Sequence, residues 1–353
     1  MSTPVLDALQ APVVQAPMAG GPSTPALAAA VNRGGGLGFV AAGYLTAERL
    51  ADEIAATTAL TGDAFGVNLF VGGGAAADAA QVAAYASRLA GEARRAGVQL
   101  GEPRFDDDAF DEKIAVLRER PVPVVSFTFG LPPRATVDAL HEIGAEVWLT
   151  VTGPQEAHDA VRRGADALIV QGVEAGGHRG SFEDRDGRGE VGLLSLLRLV
   201  ARRTTVPLLA AGGIADGEGV AAVLVAGATA AQIGSAFMLC PEAATTQVHR
   251  GAFASGGATG LTRAFSGRRA RGIVNRFQAE YSALAPAAYP EIVHVTSPLR
   301  AVASAAGDPT VINLWAGQSH TMAQERPAAE LVREWGADAT RALERTLSRM
   351  PQR

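Results

Sequence analysis

The chain has 353 residues, of which 48% are hydrophobic and 19% charged, with a formal net charge of −5. That balance belongs to a folded globular protein, not a disordered one, and gives no general attraction to nucleic acid or to an anionic membrane. Of the 31 Lys and Arg residues only Lys113 is a lysine, a bias of base composition that nearly excludes a Schiff-base lysine of the aldolase kind.

The N-terminal stretch MSTPVLDALQ has neither a basic end nor a hydrophobic run, so no signal peptide is visible. No apolar stretch reaches the roughly 18 residues of a membrane helix, and a cytoplasmic protein is expected. Short apolar runs without strict alternation then recur: VVQAP (13–17), GLGFV (36–40), FGVNLF (65–70), VPVVSF (122–127), EVWLTV (146–151), ALIVQG (167–172), VPLLAAGG (206–213) and AAQIGSAF (230–237). Such runs are expected of strands buried on both faces, as in a parallel sheet. Between most of them lie helix patterns. STPALAAAVNRG (23–34) opens with a Ser cap and an early Pro, and PPRATVDALHEIG (132–144), GPQEAHDAVRRG (153–164) and DGEGVAAVLVAG (216–227) end on Gly. The connection 71–121 is long enough for two helices. Eight strands alternating with helices predict an α/β fold, a (β/α)8 TIM barrel; the competitor is a doubly wound open sheet with two extra strands.

After Phe237 the pattern changes. Residues 240–296 carry no clear strand run, and they hold the basic stretch TRAFSGRRARGIVNRF (262–277). They read as a smaller, mainly helical insertion after the eighth strand, covering the C-terminal mouth of a barrel built from 1–239 and 297–353. Arg263, Arg268, Arg269, Arg271 and Arg276 are expected to tie this cover to the barrel, since no interleaved aromatics support a nucleic-acid patch. In the terminal helix Leu331, Trp335, Leu343 and Leu347 recur at roughly helical spacing as core contacts. The sole cysteine, Cys240, excludes a disulfide framework and a thiolate metal cluster.

In a barrel the ends of the strands and the loops behind them form the active site. Here they carry APMAGG, AAGY, Asn68, Thr128, Thr150 and Thr152, Gln171 with EAGGH, AAGGIADG, and Gln232 with GSAF. Small residues, amides and hydroxyls suit a broad, flat, polar-edged ligand touched mostly by backbone. Gly212–Gly213 opens onto a helix at Asp216, and Gly234–Ser235 offers bare amides one strand later, where many barrels hold phosphate; close helix–strand packing also selects glycine. A phosphate seat beside amide-bearing walls suggests FMN, with Asn68, Gln171 and the backbone of Ala16, Pro17 and Met18 on the ring edge or ribityl chain. No GxGxxG follows the first strand, which argues against a Rossmann site.

The sequence resembles the nitronate monooxygenase family, once called 2-nitropropane dioxygenases, and in particular its class I. The resemblance is carried by VQAPMAGG, GFVAAGY, FGVNLF, VVSFTFG, QGVEAGGHRG, AAGGIADGEGV, AQIGSAFM, TRAFSGRRARGIVNRF and LWAGQS, spread over residues 14–319. It implies an FMN-binding TIM barrel with a smaller domain over the site. FMN contacts then fall at Asn68, Gln171, Gly176, Gly213, Gln232, Ile233, Gly234 and Ser235, and the catalytic histidine falls on His178; the adjoining Gly177 and Gly212 of the two glycine pairs complete the expected cofactor-binding set. Several members have a second histidine in the segment that here reads SFTFG, where this chain has Thr128. Thr128, Trp315 and Gln318 are the expected substrate-side residues.

The resemblance implies detoxifying oxidation of an alkyl nitronate of the propionate 3-nitronate type, with O2, to a carbonyl compound and nitrite. His178 would hydrogen-bond the nitronate, or act as base on a neutral nitroalkane. The alternatives are an NAD(P)H-driven flavin reductase acting on a quinone or enoyl thioester, and a flavin carrier without turnover. No HxH or HExxH spacing marks a metal site. His141 and His158 sit in outer helix patterns, while His294 and His320 are candidates to approach the site from the cover.

Overall fold

Every one of the eight apolar runs becomes a strand, because its residues are covered on both faces. The computed structural model describes residues 3–62, 64–72, 77–185 and 189–350. The strands are β1 (Val13–Gln15), β2 (Gly38–Ala41), β3 (Phe65–Phe70), β4 (Val124–Thr128), β5 (Glu146–Val151), β6 (Ala167–Gln171), β8 (Leu208–Ala211) and β9 (Ala230–Ile233). They pair in parallel in the order β1-β9-β8-β6-β5-β4-β3-β2. A single bridge, Val14 to Leu37, links the two ends into a nearly closed barrel. A two-residue strand, β7 (Gly177–His178), stands outside the barrel.

Along β5 the side chains alternate: Val147, Leu149 and Val151 pack under the outer helices, while Trp148 points into the barrel against Phe39, ring centroids 5.9 Å apart. Val14, Leu37, Ile169 and Leu209 complete the interior, and Leu6 joins them from below.

The connection 71–121 does hold two helices, Ala79–Ala96 and Phe110–Glu119. The first helix after β1 is capped by Thr24, whose side chain accepts from Leu27 N. Ser23, read as the cap, has another role: its Oγ accepts from Met18 N and from Gln15 Nε2, both at 2.9 Å, and so closes the turn after β1. In the terminal helix Ala328–Arg349, Leu331 and Trp335 are buried and Leu343 packs partly against the core, but Leu347 is 69% exposed. Helical spacing carried the pattern past the point where the helix still faces the barrel.

The insertion is mainly helical, with Gln247–Ser255, Arg276–Tyr281 and the start of Glu291–Ala305, but it also contains a strand pair. Strands β10 (Thr259–Thr262) and β11 (Ala270–Ile273) run antiparallel, and β11 pairs with β7 through Ala270–His178 and Arg271–Gly177. Neither strand shows an apolar run, and each contains a glycine. A second apolar core joins Tyr85 and Leu89 of helix Ala79–Ala96 to Phe265, Phe277, Ile292 and Leu299. The arginines fasten these parts as expected. Arg276 grips Glu92 at 2.6 and 3.0 Å, Arg263 and Arg269 share Asp184 at 2.8 and 2.9 Å, and Arg271 donates to Val173 O at 2.8 Å. Among the described residues no helix is long and apolar enough to cross a membrane.

Candidate active site

The carboxyl ends of the barrel strands open into a cavity of about 600 Å³, inside the roughly 300–1,000 Å³ range of small-molecule sites. Of the residues expected there, Ala16, Pro17, Met18, Asn68, Thr128, Gln171, Gly176, Gly177, His178, Gly212, Gly213, Gln232, Gly234, Ser235 and Trp315 all line it. Ile233 and Gln318 do not. Strand alternation turns Ile233 away into the core under the outer helices. Gln318 is exposed, its amide held by Glu174 O at 3.0 Å, while its neighbours Gly317 and Ser319 form the wall.

His178 is placed by strand pairing and by its neighbours' side chains. Gln171, at the end of β6, accepts from Gly180 N (2.8 Å) and donates to His178 O (3.1 Å), so its amide braces the histidine loop. Behind the loop the fully buried Arg179 donates to three carbonyls, those of Gly172, Gln171 and Gly189. The imidazole Nε2 lies 2.9 Å from Ser266 Oγ, and that hydroxyl spends its own proton on Arg268 O at 3.1 Å. Nε2 must therefore carry the ring proton, which leaves the lone pair on Nδ1. Burial, and then the charge of Arg268, push the His178 pKa down to about 3, against a smaller pull from Asp184. The ring is neutral near pH 7.

An aromatic box surrounds this imidazole. Phe129, Tyr289 and Trp315 stand with ring centroids 5.8, 5.7 and 5.4 Å from it. Phe129 adopts a left-handed backbone, φ +81°, under the guanidinium of Arg268, which lies 4.2 Å from the ring centroid. Such a backbone is rare for an aromatic residue and is held here by its surroundings.

His294, a candidate to approach the site from the cover, does line the cavity. Ser266 and Val293 of the insertion, and Ser297, Arg300 and Asn313 beyond residue 296, line it too although no spacing rule picked them out, and so does His249. Arg300 donates to Thr296 Oγ1, Asn313 Oδ1 and Val293 O, all neutral acceptors. His249 donates to Trp315 O at 3.0 Å, and burial pushes its pKa down to about 4. His320 is buried, bonded to Gly317 O and absent from the wall. His158 is exposed, and His141 bonds Asp166 on the outside of the barrel. Among the described residues no cluster of three or more His, Cys, Asp or Glu is arranged to hold a metal.

The family model for nitronate monooxygenase matches residues 3–337. The chain belongs to the nitronate monooxygenase family. It is similar to the nitronate monooxygenase of Pseudomonas aeruginosa, 42% identical over 347 residues that cover 92% of this chain and 95% of that one. The nitronate monooxygenase of Paraburkholderia phytofirmans is 39% identical over 342 residues, covering 94% and 93%. Among solved structures, the nitroalkane oxidase from Streptomyces ansochromogenes superposes with a TM-score of 0.94 at 47% identity, over 97% of this chain and 99% of that one. FabK from Thermotoga maritima superposes with a TM-score of 0.77 at 27% identity, over 99% and 100%. Membership makes the chain an oxidoreductase on a TIM barrel.

A flavin is what membership implies, and the cavity fits one. Gln232 Nε2 is buried without a partner and belongs to a wall residue, an orphan donor that a bound ring or ribityl oxygen would satisfy. A Cβ on Gly176 would lie 2.5 Å from Gly317 N and 2.6 Å from Ala316 C, so only glycine lets these two wall segments touch. Gly212 and Gly213 both have left-handed backbones, with φ +114° and +71°. The helix behind them is not an open phosphate seat, because Asp216 caps it through Gly219 N at 2.7 Å. The bare backbone of Gly213 and Gly234–Ser235 remains for that purpose.

Proposed function

We propose that this chain is an FMN-dependent nitronate monooxygenase that oxidises small alkyl nitronates, of the propionate 3-nitronate type, with O2 to a carbonyl compound and nitrite. The observation that carries the anionic substrate is the charge of the wall. Among the described residues lining the cavity there is no Asp or Glu, and Arg300 is the one permanent charge. An anion entering this space exchanges water for a cation and neutral donors, at a lower dielectric than outside.

In this reading Asn68, Gln232 and the backbone around Met18 hold the flavin ring and ribityl chain, and Gly213 with Gly234–Ser235 holds its phosphate. FMN, when bound, supplies the one-electron acceptor that O2 re-oxidises. Gln171 and Arg179 fix the His178 loop, Ser266 fixes the tautomer, and Phe129, Tyr289 and Trp315 exclude water from the imidazole. Nδ1 is the atom that meets the substrate; it takes up a proton from solvent as the negative charge of the nitronate arrives, and then donates it in a hydrogen bond to the nitro oxygens. A group whose pKa is near 3 is a weak base towards a carbon-bound proton, so the preformed nitronate is favoured over the neutral nitroalkane.

Oxygen consumption by the FMN-loaded protein tests this, with propionate 3-nitronate and then NADH as sole reductant. Fast uptake with the nitronate and little with NADH is expected. The reverse pattern would replace the proposal with a nicotinamide-driven flavin reductase.

A further inference from the structure

The only lysine of the chain is not on the surface. Lys113, at 0% exposure, lies with Nζ 2.7 Å from Asp108 Oδ2 and donates to Ala42 O at 2.9 Å. The other oxygen of Asp108 accepts from Tyr44 N at 2.8 Å. The ammonium therefore holds both sides of the turn after β2, the carbonyl of residue 42 directly and the amide of residue 44 through the carboxylate. The turn needs holding. Tyr44 has φ +68°, and Asp108 and Ala109 opposite it have φ +61° and +51°, conformations that non-glycine residues keep only under constraint.

The constraint aims a side chain. Tyr44 lines the cavity at its mouth, 46% exposed, with its ring edge on Phe70 at 5.5 Å. Its hydroxyl is 3.4 Å from that of Tyr289, the ring packed against His178. In a chain that uses arginine for every other basic residue, the lysine stands where the cation must be compact. A planar guanidinium on a longer head cannot occupy a fully buried site between one carboxylate oxygen and one carbonyl without displacing them.

We propose that Lys113 and Asp108 are a positioning pair holding Tyr44 across the mouth of the cavity, and that Tyr44 is a specificity residue limiting the length of the alkyl chain admitted. The substrate class rests on the nitronate reading above. The holding of the turn does not.

The test uses holoenzyme with Lys113→Arg, Lys113→Met, Asp108→Asn and Tyr44→Ala. Two readouts are taken: kcat/KM for ethyl and hexyl nitronate, and amide hydrogen exchange in segment 42–46. Tyr44→Ala is expected to raise the hexyl-to-ethyl ratio about fivefold or more. Lys113→Arg should reproduce that rise, add nothing in the Tyr44→Ala background, and speed exchange in the segment. A wild-type ratio in Tyr44→Ala, or wild-type ratio and exchange in Lys113→Arg, overturns the proposal. If the Lys113 variants do not fold, Asp108→Asn with Tyr44→Ala makes the same comparison. A wild-type enzyme inactive on both nitronates would sink the nitronate reading and the length selection with it, and the exchange measurement would still decide the pairing.

Discussion

Replacing His178 by asparagine should make the protein more resistant to mild acid. An imidazole in an unfolded chain titrates near 6.5, whereas His178 in the fold is pushed down to about 3 by burial and by Arg268. Between these values the unfolded chain binds a proton that the folded one does not, so stability falls as pH falls. The contribution is intact above about pH 6.5 and lost progressively towards pH 3. At pH 5 the difference in proton uptake favours the unfolded state by about 2 kcal/mol. For a cooperative unit of this size that is about 3 °C in Tm. The assay is the loss of Tm between about pH 7.5 and pH 5 in wild type and in His178→Asn. His249 and the carboxylates are common to both proteins and drop out of the comparison. The wild type should lose about 3 °C more than the variant. Equal losses would mean that the imidazole titrates normally in the fold, and the neutral histidine of the mechanism would go with it.

Gly176→Ala should cost about 1–3 kcal/mol and weaken flavin retention, since its Cβ would lie 2.5 and 2.6 Å from backbone atoms of residues 317 and 316 and not against a flexible side chain; wild-type flavin content and Tm would show that the 316–317 segment can move. Glu92→Gln should cost about 2 kcal/mol in urea unfolding, because the buried carboxylate, 3% exposed, holds Arg276, Arg95 and Tyr281 together. A change below about 0.5 kcal/mol would mean those partners find water instead. Thr128→Val should cost less than about 1 kcal/mol, as Asn68 Nδ2 keeps Ser126 O and Oγ at 3.2 and 3.0 Å. It should nonetheless raise the KM for nitronates, and an unchanged KM would remove Thr128 from the substrate wall.

The barrel could be read from the sequence because a strand covered on both faces must be apolar throughout, and eight such runs repeat between helix patterns. The glycine-rich strand ends could be read for a related reason: backbone that forms a wall writes itself as missing side chains. Strands β10 and β11 left no such mark. Their residues TGLT and ARGI are ordered by their partners, and Gly272 is a glycine because Leu314 O and the Trp315 ring lie where its Cβ would be. The far wall of the cavity was illegible for another reason. Tyr44 did end the strand-end segment AAGY, but Tyr289 and Arg300 carry no such mark, and the three, scattered over more than 250 positions, converge only through tertiary packing. Ser266 did lie inside a quoted motif, SGRRARG, but its work as the anchor of a tautomer depends on an 88-residue separation closing to 2.9 Å. Lys113 was visible as a compositional oddity, and only its burial turned the oddity into a function.

The strand that carries His178 belongs to the same small sheet as the cover, through Ala270 opposite His178 and Arg179 N on Arg269 O at 2.8 Å. Roof and imidazole loop are therefore hydrogen-bonded into one small sheet. Swinging the roof aside to admit a substrate would pull the reacting group out of register, so admission without a roof movement is the expectation. Traffic should then use the existing mouth, turnover should show no slow opening phase, and evolution of a new substrate range would proceed by recutting the door frame instead of loosening the roof.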